Sequence, residues 1–195
     1  MGTVGTGFSM SLDGYIARPD GQVGPLFDWY TEGETPLAVT IGDQPMAVTQ
    51  DAGEMLQQAS QATGALVTGR KLFDQTQGWG GRHPLDVPII VVTHSIPPEW
   101  EKPPYTFVTD GVPSAIAKAR EIAGEKKVAV ASASIVQQCL NAGLLDEIHI
   151  DLIPIVLGKG IALFDQLNAE YRLECVEVKP RPPRFAQEGK TVTRH

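Results

Sequence analysis

The amino-acid sequence predicts an α/β protein with a mostly parallel central sheet, flanking helices and a C-terminal antiparallel hairpin. Short apolar runs with the length of buried strands alternate with helical segments, a pattern typical of parallel sheets covered by helices on both faces. Capping residues and glycines mark where those helices begin and end. The length of 195 residues fits one domain, 1–195, and no linker or internal repeat interrupts it.

The first part of the chain is predicted to hold one strand and a long loop. Thr3–Phe8 has the pattern of a short strand that enters a glycine-containing loop. Ser9–Thr35 is rich in turn signals, of which Asp13-Gly14 and Pro19-Asp20-Gly21 are the strongest. Loops of this length inside a compact domain are usually functional or disordered.

The next segment is predicted to be a helix, a strand and a second helix. Asp51 and Glu54 have the spacing of a capping box, and the apolar stripe that follows is ended by Gly64. Ala65–Thr68 is a buried strand. Gly69-Arg70-Lys71 follows without a spacer and opens a short helix that runs to about Thr76.

The second half repeats this alternation. A helix from Pro113 to Ala123 has proline in its first turn and Gly124 at its end, and another opens at the capping box Ser134-x-x-Gln137 and stops at Gly143. The predicted strands are Pro88–Val92, Tyr105–Val108, Lys127–Ala131 and Glu147–Leu152, followed by hairpin arms at Tyr171–Val178 and Arg184–Thr193.

Composition narrows the functional classes. Apolar residues make up 42% and charged residues 20%, the balance of a folded globular protein. No apolar run approaches the ~20 residues of a membrane span, no secretory signal is visible, and a net charge of −7 disfavours a nucleic-acid surface. Cys139 and Cys175 lie among apolar residues and are expected to be buried thiols, while the four histidines are scattered. We therefore expect a cytoplasmic protein with a small-molecule ligand and no metal.

Two clusters near strand ends could carry chemistry. Ser9–Ala17 places Asp13 beside hydroxyls and a glycine turn, which suits a loop that covers a reactive ring and relays a proton, although Asp13-Gly14 also suits a plain turn. Thr68–Lys71 places two cations where a strand gives way to a helix, a setting that attracts phosphate. An exposed basic first turn is the alternative for this second cluster.

Three more segments lie at the same predicted edge of the sheet. In Ala131–Ser134, small residues precede a helix, where a pyrophosphate could approach the backbone or Ser132 could serve as an ordinary N-cap. Leu157–Gly160 is a tight turn after a strand, and it lacks the features of a Rossmann fingerprint. His94 follows the strand Pro88–Val92. Ligands of such sheets lie beyond the carboxyl ends of the strands, so these segments are expected to converge.

Together, these segments resemble the dihydrofolate reductase-like family that includes the C-terminal reductase domain of the riboflavin-biosynthesis protein RibD, in its stand-alone form. The resemblance covers nearly the whole chain. The matching segments are S-L-D-G-Y-I-A at Ser11–Ala17, V-T-G-R-K-L-F-D at Val67–Asp74, G-W-G-G-R-H-P at Gly78–Pro84, V-V-T-H at Val91–His94 and the run Leu140–Phe164.

The resemblance implies an NADPH-dependent reductase that transfers hydride to a C=N or C=O carbon of a small heterocycle, and a homodimer. Asp13 would be the catalytic residue, facing the nicotinamide and supplying a proton directly or through water. The cofactor-binding residues would be Gly69, Arg70, Lys71, Thr93, His94, Ser95, Ser132, Ala133, Ser134, Val136 and Gly158, with Arg70 and Lys71 at the 2′-phosphate. The substrate-binding residues would be Ser11, Phe27, Trp29 and Leu157.

One position departs from the family pattern. Members usually carry Gly-Gly where this chain has Ser132-Ala133, and each Cβ narrows the space for a diphosphate and removes access to positive φ. A non-catalytic ligand-binding protein that kept the fold therefore stays open as an alternative. Dihydrofolate reductase is a further, less favoured alternative, because such enzymes carry an acid on a helix after the first loop and the corresponding segment here is rich in proline and glycine.

Overall fold

A central six-stranded sheet organises the protein, for which a computed structural model describes residues 2–41 and 44–178. All neighbours in this sheet are parallel, in the order β7-β6-β5-β8-β1-β9. The strands are β1 (Val4–Ser11), β5 (Thr63–Gly69), β6 (Ile89–Val92), β7 (Tyr105–Val108), β8 (Lys127–Val130) and β9 (Glu147–Ile153). The predicted parallel α/β architecture is confirmed.

Two small antiparallel pairs accompany the sheet. The pair formed by β2 (Tyr15–Ala17) and β10 (Ile161–Ala162) joins the first loop to the segment after β9. The pair β3 (Thr35–Ile41) and β4 (Gln44–Val48) has no counterpart in the sequence prediction. The predicted long loop is thus divided, since it contains the end of β1, the strand β2 and a 3-10 helix at Gly24–Tyr30.

The first long helix is α1 (Gln50–Ala62), and its N-cap lies two residues before Asp51, the cap predicted from the sequence. Its N-cap is Thr49, whose hydroxyl accepts the Ala52 N–H at 3.4 Å. Gly64 does not end this helix as predicted, because the chain passes at Thr63 directly into β5, which contains Gly64. The short helix α2 (Arg70–Gln75) follows β5 without a spacer, as predicted.

The later helices are α3 (Val112–Ala123) and α4 (Ala133–Asn141). Gly124, with φ 61°, ends α3 as predicted. The capping box predicted at Ser134 is wrong: Ser132 is the N-cap, and the Gln137 amide donates instead to the carbonyls of Ala162 and Leu163. This contact fastens α4 to β10.

Helices cover both faces of the sheet. On one face α3 and α4 bury side chains such as Val67, Val128, Ile116 and Val136 against the strands. On the other face the chain buries an aromatic cluster centred on Phe73 of α2. Within the described ranges, no helix is long and apolar enough to cross a membrane.

Two predictions near the C-terminus need correction. Residues 171–178 form no strand, so the first arm of the predicted hairpin is wrong, and Arg184–Thr193 lie outside the described residues. Cys139 is buried as expected, and burial raises the pKa of its thiol to about 11. Cys175 is exposed, because the strand that was expected to bury it is missing.

An unusual turn follows α2. Residues 77–81 all have positive φ, and two of them, Gln77 and Trp79, are not glycine. A left-handed turn of L-residues is costly and needs support from its surroundings. Tyr105 of β7 gives that support, because its hydroxyl donates to the Gly78 carbonyl at 2.7 Å. Just beyond the turn, burial lowers the pKa of His83 to about 4, so its imidazole is neutral.

Candidate active site

The candidate site lies where the order of the sheet reverses. The chain leaves β5 toward β6 and β7, whereas it leaves β8 toward β9 on the other side of the sheet. The adjacent carboxyl ends of β5 and β8 therefore open a crevice, the usual ligand position in such sheets. The segments that begin at Gly69 and Ser132 form this crevice.

One hydrogen bond joins the two sides of the crevice. The buried Ser132 Oγ accepts the N–H of Gly69 at 2.8 Å, across 63 residues of sequence. Ser132 has φ −129° and ψ 137°, an extended backbone that any residue adopts, so the lack of glycine here causes no backbone strain. Because the hydroxyl oxygen is the acceptor, its own proton is available to donate.

Arg70 connects the crevice with the segment after β6. Its Nε lies 2.7 Å and 2.9 Å from the two carboxylate oxygens of Asp74, and its Nη1 donates to the Ser95 carbonyl at 3.0 Å. The Thr93 hydroxyl accepts the Ser95 N–H at 3.3 Å, which fixes this turn. The guanidinium is thus held at the edge of the crevice with its side chain 34% exposed.

The remaining predicted cofactor residues divide into exposed and buried ones. Lys71, His94 and Ser134 are exposed near these turns, where a ligand can reach them. Ala133 and Val136 are buried, and Val136 is fully enclosed by core side chains. The helical spacing of α4 turns the Val136 side chain toward the sheet, and its part in cofactor binding stays a prediction.

Asp13 fixes the loop that follows β9. Its carboxylate accepts the N–H groups of Leu157 at 3.1 Å and Gly158 at 2.7 Å, and the Ser11 hydroxyl donates to it at 2.6 Å. The hydrogen bond from Ser11, with help from the two amides, lowers the pKa of Asp13 below its usual 3.8. At neutral pH this carboxylate is ionised, so it acts as an acceptor that positions the loop.

Trp29 contacts the first strand directly. Its indole N–H donates to the Ser9 hydroxyl at 2.9 Å, and its ring stacks on Tyr30 with centroids 3.7 Å apart. The Phe27 ring also contacts Tyr30, with ring centroids 5.0 Å apart. The two predicted substrate-wall residues are therefore brought together in one aromatic group, and Trp29 is the one that reaches β1.

Two polar residues of β9, His149 and Asp151, lie beside that contact, and neither is among the predicted site residues. Asp151 is in register with Ser9, and its Oδ1 lies 3.5 Å from His149 Nε2. The signal in the sequence was the alternation of His149 and Asp151, which places both on one face of the strand. Residues 2–41 and 44–178 contain no group of three metal-ligating side chains.

Known proteins resemble this chain in sequence. The profile of the RibD C-terminal domain family matches residues 3–186. The uncharacterized Bacillus subtilis protein YwjB is 26% identical over 171 residues, which cover 88% of this chain and 87% of that protein.

Solved structures share the fold. A Shewanella protein assigned to riboflavin biosynthesis superposes with a TM-score of 0.66 at 22% identity, with 90% of each chain covered. A pyrimidine reductase-like protein of Corynebacterium diphtheriae gives 0.51 at 16% identity, covering 92% of this chain and 88% of that one. The Thermotoga maritima deaminase/5-amino-6-(5-phosphoribosylamino)uracil reductase gives 0.54 at 15% identity, and this chain, 92% covered, spans 51% of its length.

Proposed function

Because the chain belongs to the RibD C-terminal domain family, we propose that it is an NADPH-dependent reductase of a small heterocyclic substrate. The observation that carries the proposal is the hydrogen bond between Ser132 and Gly69, which joins two predicted phosphate-binding turns at the point where strand order reverses. Arg70 lies at the same place and adds a cation suited to a phosphate.

The residues of the crevice fit an anionic dinucleotide. A Cβ added at Gly69 would stand 3.0 Å from Ser132 Oγ, so the absence of a side chain keeps the two turns close. The donors available are the guanidinium of Arg70, the ammonium of Lys71 and the hydroxyls of Ser132 and Ser134, a set suited to phosphate oxygens. Arg70 and Lys71 would hold the 2′-phosphate, and the two serines the diphosphate.

When bound, reduced nicotinamide supplies a hydride to a C=N or C=O carbon. The protein supplies position and shielding from water. Asp13 holds Leu157 and Gly158 against the first loop, which keeps one side of the site closed. Since hydrogen bonds lower the pKa of Asp13, we assign the proton to water rather than to this carboxylate, whose role is to orient the loop.

A titration of the purified protein with NADPH and with NADH tests the proposal. Saturable binding of NADPH, tighter than that of NADH, is expected, because only NADPH carries the 2′-phosphate for Arg70. Turnover is then followed as loss of reduced nicotinamide with 5-amino-6-(5-phosphoribosylamino)uracil, the compound named for the Thermotoga protein. Absence of saturable NADPH binding at millimolar concentration would remove the reductase proposal.

One observation favours a second candidate, a ligand-binding protein without turnover. The Ser132 hydroxyl accepts the Gly69 N–H. If residue 132 were glycine, that N–H would be available to a phosphate oxygen. Binding of NADPH without oxidation by any pyrimidine tested would support this second candidate.

A further inference from the structure

A cavity lies at the edge of the sheet opposite the crevice. Its volume is about 490 Å³, within the range of roughly 300–1,000 Å³ that is typical of small-molecule sites. Tyr105, the first residue of β7, lines this cavity, whereas the crevice begins at Gly69 and Ser132, after the carboxyl ends of β5 and β8. Because all six strands are parallel, their amino ends form the opposite edge. The cavity is therefore separate from the proposed reductase site.

Two aromatic residues line the cavity. The rings of Trp100 and Tyr105 meet edge to face with centroids 5.5 Å apart, and both contact the buried Phe73 in the same way, at 5.4 Å and 5.0 Å. The Tyr105 hydroxyl donates to the Gly78 carbonyl at 2.7 Å. Burial raises the pKa of this phenol, so the hydrogen bond persists at neutral pH. These contacts hold both rings in place, and a ligand need not order them on binding.

The left-handed turn after α2 forms another side of the cavity. Gly80 and Gly81 line it, and no described atom lies within 4 Å of a Cβ built on either glycine. The cavity is thus unfilled along this turn. Two residues of the turn, Gln77 and Trp79, have positive φ without being glycine. Costly backbone of this kind is concentrated at ligand-binding and catalytic sites, which favours a function for the cavity beside it.

The cavity has a positive charge in a chain whose net charge is −7. Among the described residues, Lys102 is the only charged residue that lines it; Glu101 precedes Lys102 in the sequence but lies outside the lining. Within residues 2–41 and 44–178, the Lys102 ammonium and the Gln77 amide are exposed and have no hydrogen-bond or ion-pair partner. Both groups are therefore available as donors to an anion.

We propose that this cavity binds a small aromatic carboxylate, with its ring against Trp100 and Tyr105 and its carboxylate at Lys102. Aromatic rings interact favourably with one another, and an ammonium forms strong hydrogen bonds to a carboxylate. The rest of the lining includes the prolines 103 and 104, which offer apolar surface. One cation suits a monoanion with an apolar ring, whereas a phosphate with two charges would need further cations. This inference goes beyond the proposed function and does not depend on it.

The test compares three probes of similar size on the full chain by protein-observed NMR. Benzoate has the ring and the charge, benzamide has the ring without the charge, and cyclohexanecarboxylate has the charge without an aromatic ring. The indole N–H resonance of Trp100 should shift with benzoate, with a Kd of about millimolar, and the other two probes should each bind at least about threefold more weakly. An unchanged Trp100 resonance at about tenfold that concentration, or equal Kd values for the three probes, overturns the inference.

Two variants test the role of the lysine. Lys102→Gln removes the charge of an exposed side chain and should weaken benzoate about threefold or more, with benzamide changed less than about twofold. Lys126→Gln is the matched control, because Lys126 is also exposed and precedes β8 outside the cavity, and it should keep the wild-type Kd for benzoate. The inference is overturned if Lys102→Gln binds benzoate as the wild type does, or if Lys126→Gln loses as much.

A third variant separates this cavity from the crevice. Arg70 is a cation of the crevice, so Arg70→Ala removes a competing site for a carboxylate. The shift of the Trp100 resonance with benzoate should keep its Kd in Arg70→Ala. A larger loss of benzoate affinity in Arg70→Ala than in Lys102→Gln would place benzoate in the crevice, which overturns this inference and leaves the reductase proposal intact.

Discussion

Replacing Ser132 by alanine tests the bond that joins the two sides of the crevice. Ser132 Oγ is the acceptor for Gly69 N–H at 2.8 Å, and both residues are buried. The substitution leaves that N–H without its partner inside the protein, and an unsatisfied buried donor costs about 1–3 kcal/mol. The side chain makes no capping bond to α4, so loss of a helix cap does not add to this cost.

The expected loss is measurable by unfolding. Ser132→Ala should lower the free energy of unfolding in urea by about 1–3 kcal/mol, and Tm by about 2–4 °C per kcal/mol in a protein of this size. Ser134→Ala is the matched control, because Ser134 is exposed two residues later and should change stability by less than about 0.5 kcal/mol. Equal urea midpoints for Ser132→Ala and wild type would refute the reasoning.

A ligand arm extends the same experiment. Because the Ser132 hydroxyl is one of the proposed diphosphate donors, saturating NADPH should raise the Tm of Ser132→Ala by less than that of the wild type. A larger rise in the variant would show that the Gly69 N–H, freed from Ser132, is the better phosphate donor.

Three further predictions follow from the contacts described above. Arg70→Ala should weaken NADPH binding about tenfold or more while changing NADH binding little, because only NADPH carries the phosphate that the guanidinium binds; calorimetry measures both. Asp13→Asn should speed hydrogen exchange at the Gly158 amide, whose acceptor is lost. In the wild type, the protection of this amide, measured against an unstructured peptide at the same pH, should persist at neutral pH and be lost only as pH falls through the lowered pKa of Asp13, below 3.8. As pH falls from about 6.5 to 4, the free energy of unfolding should fall by up to about 3 kcal/mol. The reason is that the His83 pKa is about 4 in the folded protein and 6.5 in the unfolded chain, so unfolding takes up a proton in this range. His83→Gln should flatten the dependence of the unfolding free energy on pH.

Each of these predictions has a control in the chain. Arg82→Ala removes an arginine that pairs with an aspartate four residues later, as Arg70 does, and should leave both cofactors unaffected. Asp20→Asn alters a carboxylate that accepts the Gln22 N–H, and it should leave exchange at Gly158 slow. His94→Gln changes an exposed histidine and should retain the pH slope. If a control variant gives the same result as the variant it is matched to, the role assigned to the residue under test is contradicted.

The order of strands and helices was predictable because it depends on local patterns. Buried runs such as Ile89–Val92 and stop signals such as Gly124 act within a few residues, and the structure confirms both. The hairpin Thr35–Ile41 with Gln44–Val48 escaped prediction because Pro36 and Pro45 interrupt its strand pattern. Helix starts were shifted because serine, threonine and aspartate compete as caps, and Thr49 prevailed over Asp51.

The position of the candidate crevice in the sheet was predictable from the sequence, whereas most hydrogen bonds within it were not. Gly69, Arg70 and Ser132 meet at one edge because parallel strands bring their carboxyl ends together. The partners of Asp13 are backbone amides 144 and 145 residues away, and no local pattern encodes them. Likewise Gln137 has the spacing of a cap but reaches carbonyls on a distant strand. Such long-range contacts depend on the finished fold.

The place of β8 in the sheet also sets the order in which the protein can assemble during synthesis. The ladder partners of β1 begin at Val128 on one side and Glu147 on the other, so β1 has no neighbour in the central sheet until synthesis has passed Val128. β6 can pair with β5 and with β7 much earlier. Contacts over such separations form slowly, and a nascent chain that ends before Ser132 contains the Gly69 side of the crevice but neither the other side nor the residue that joins the two.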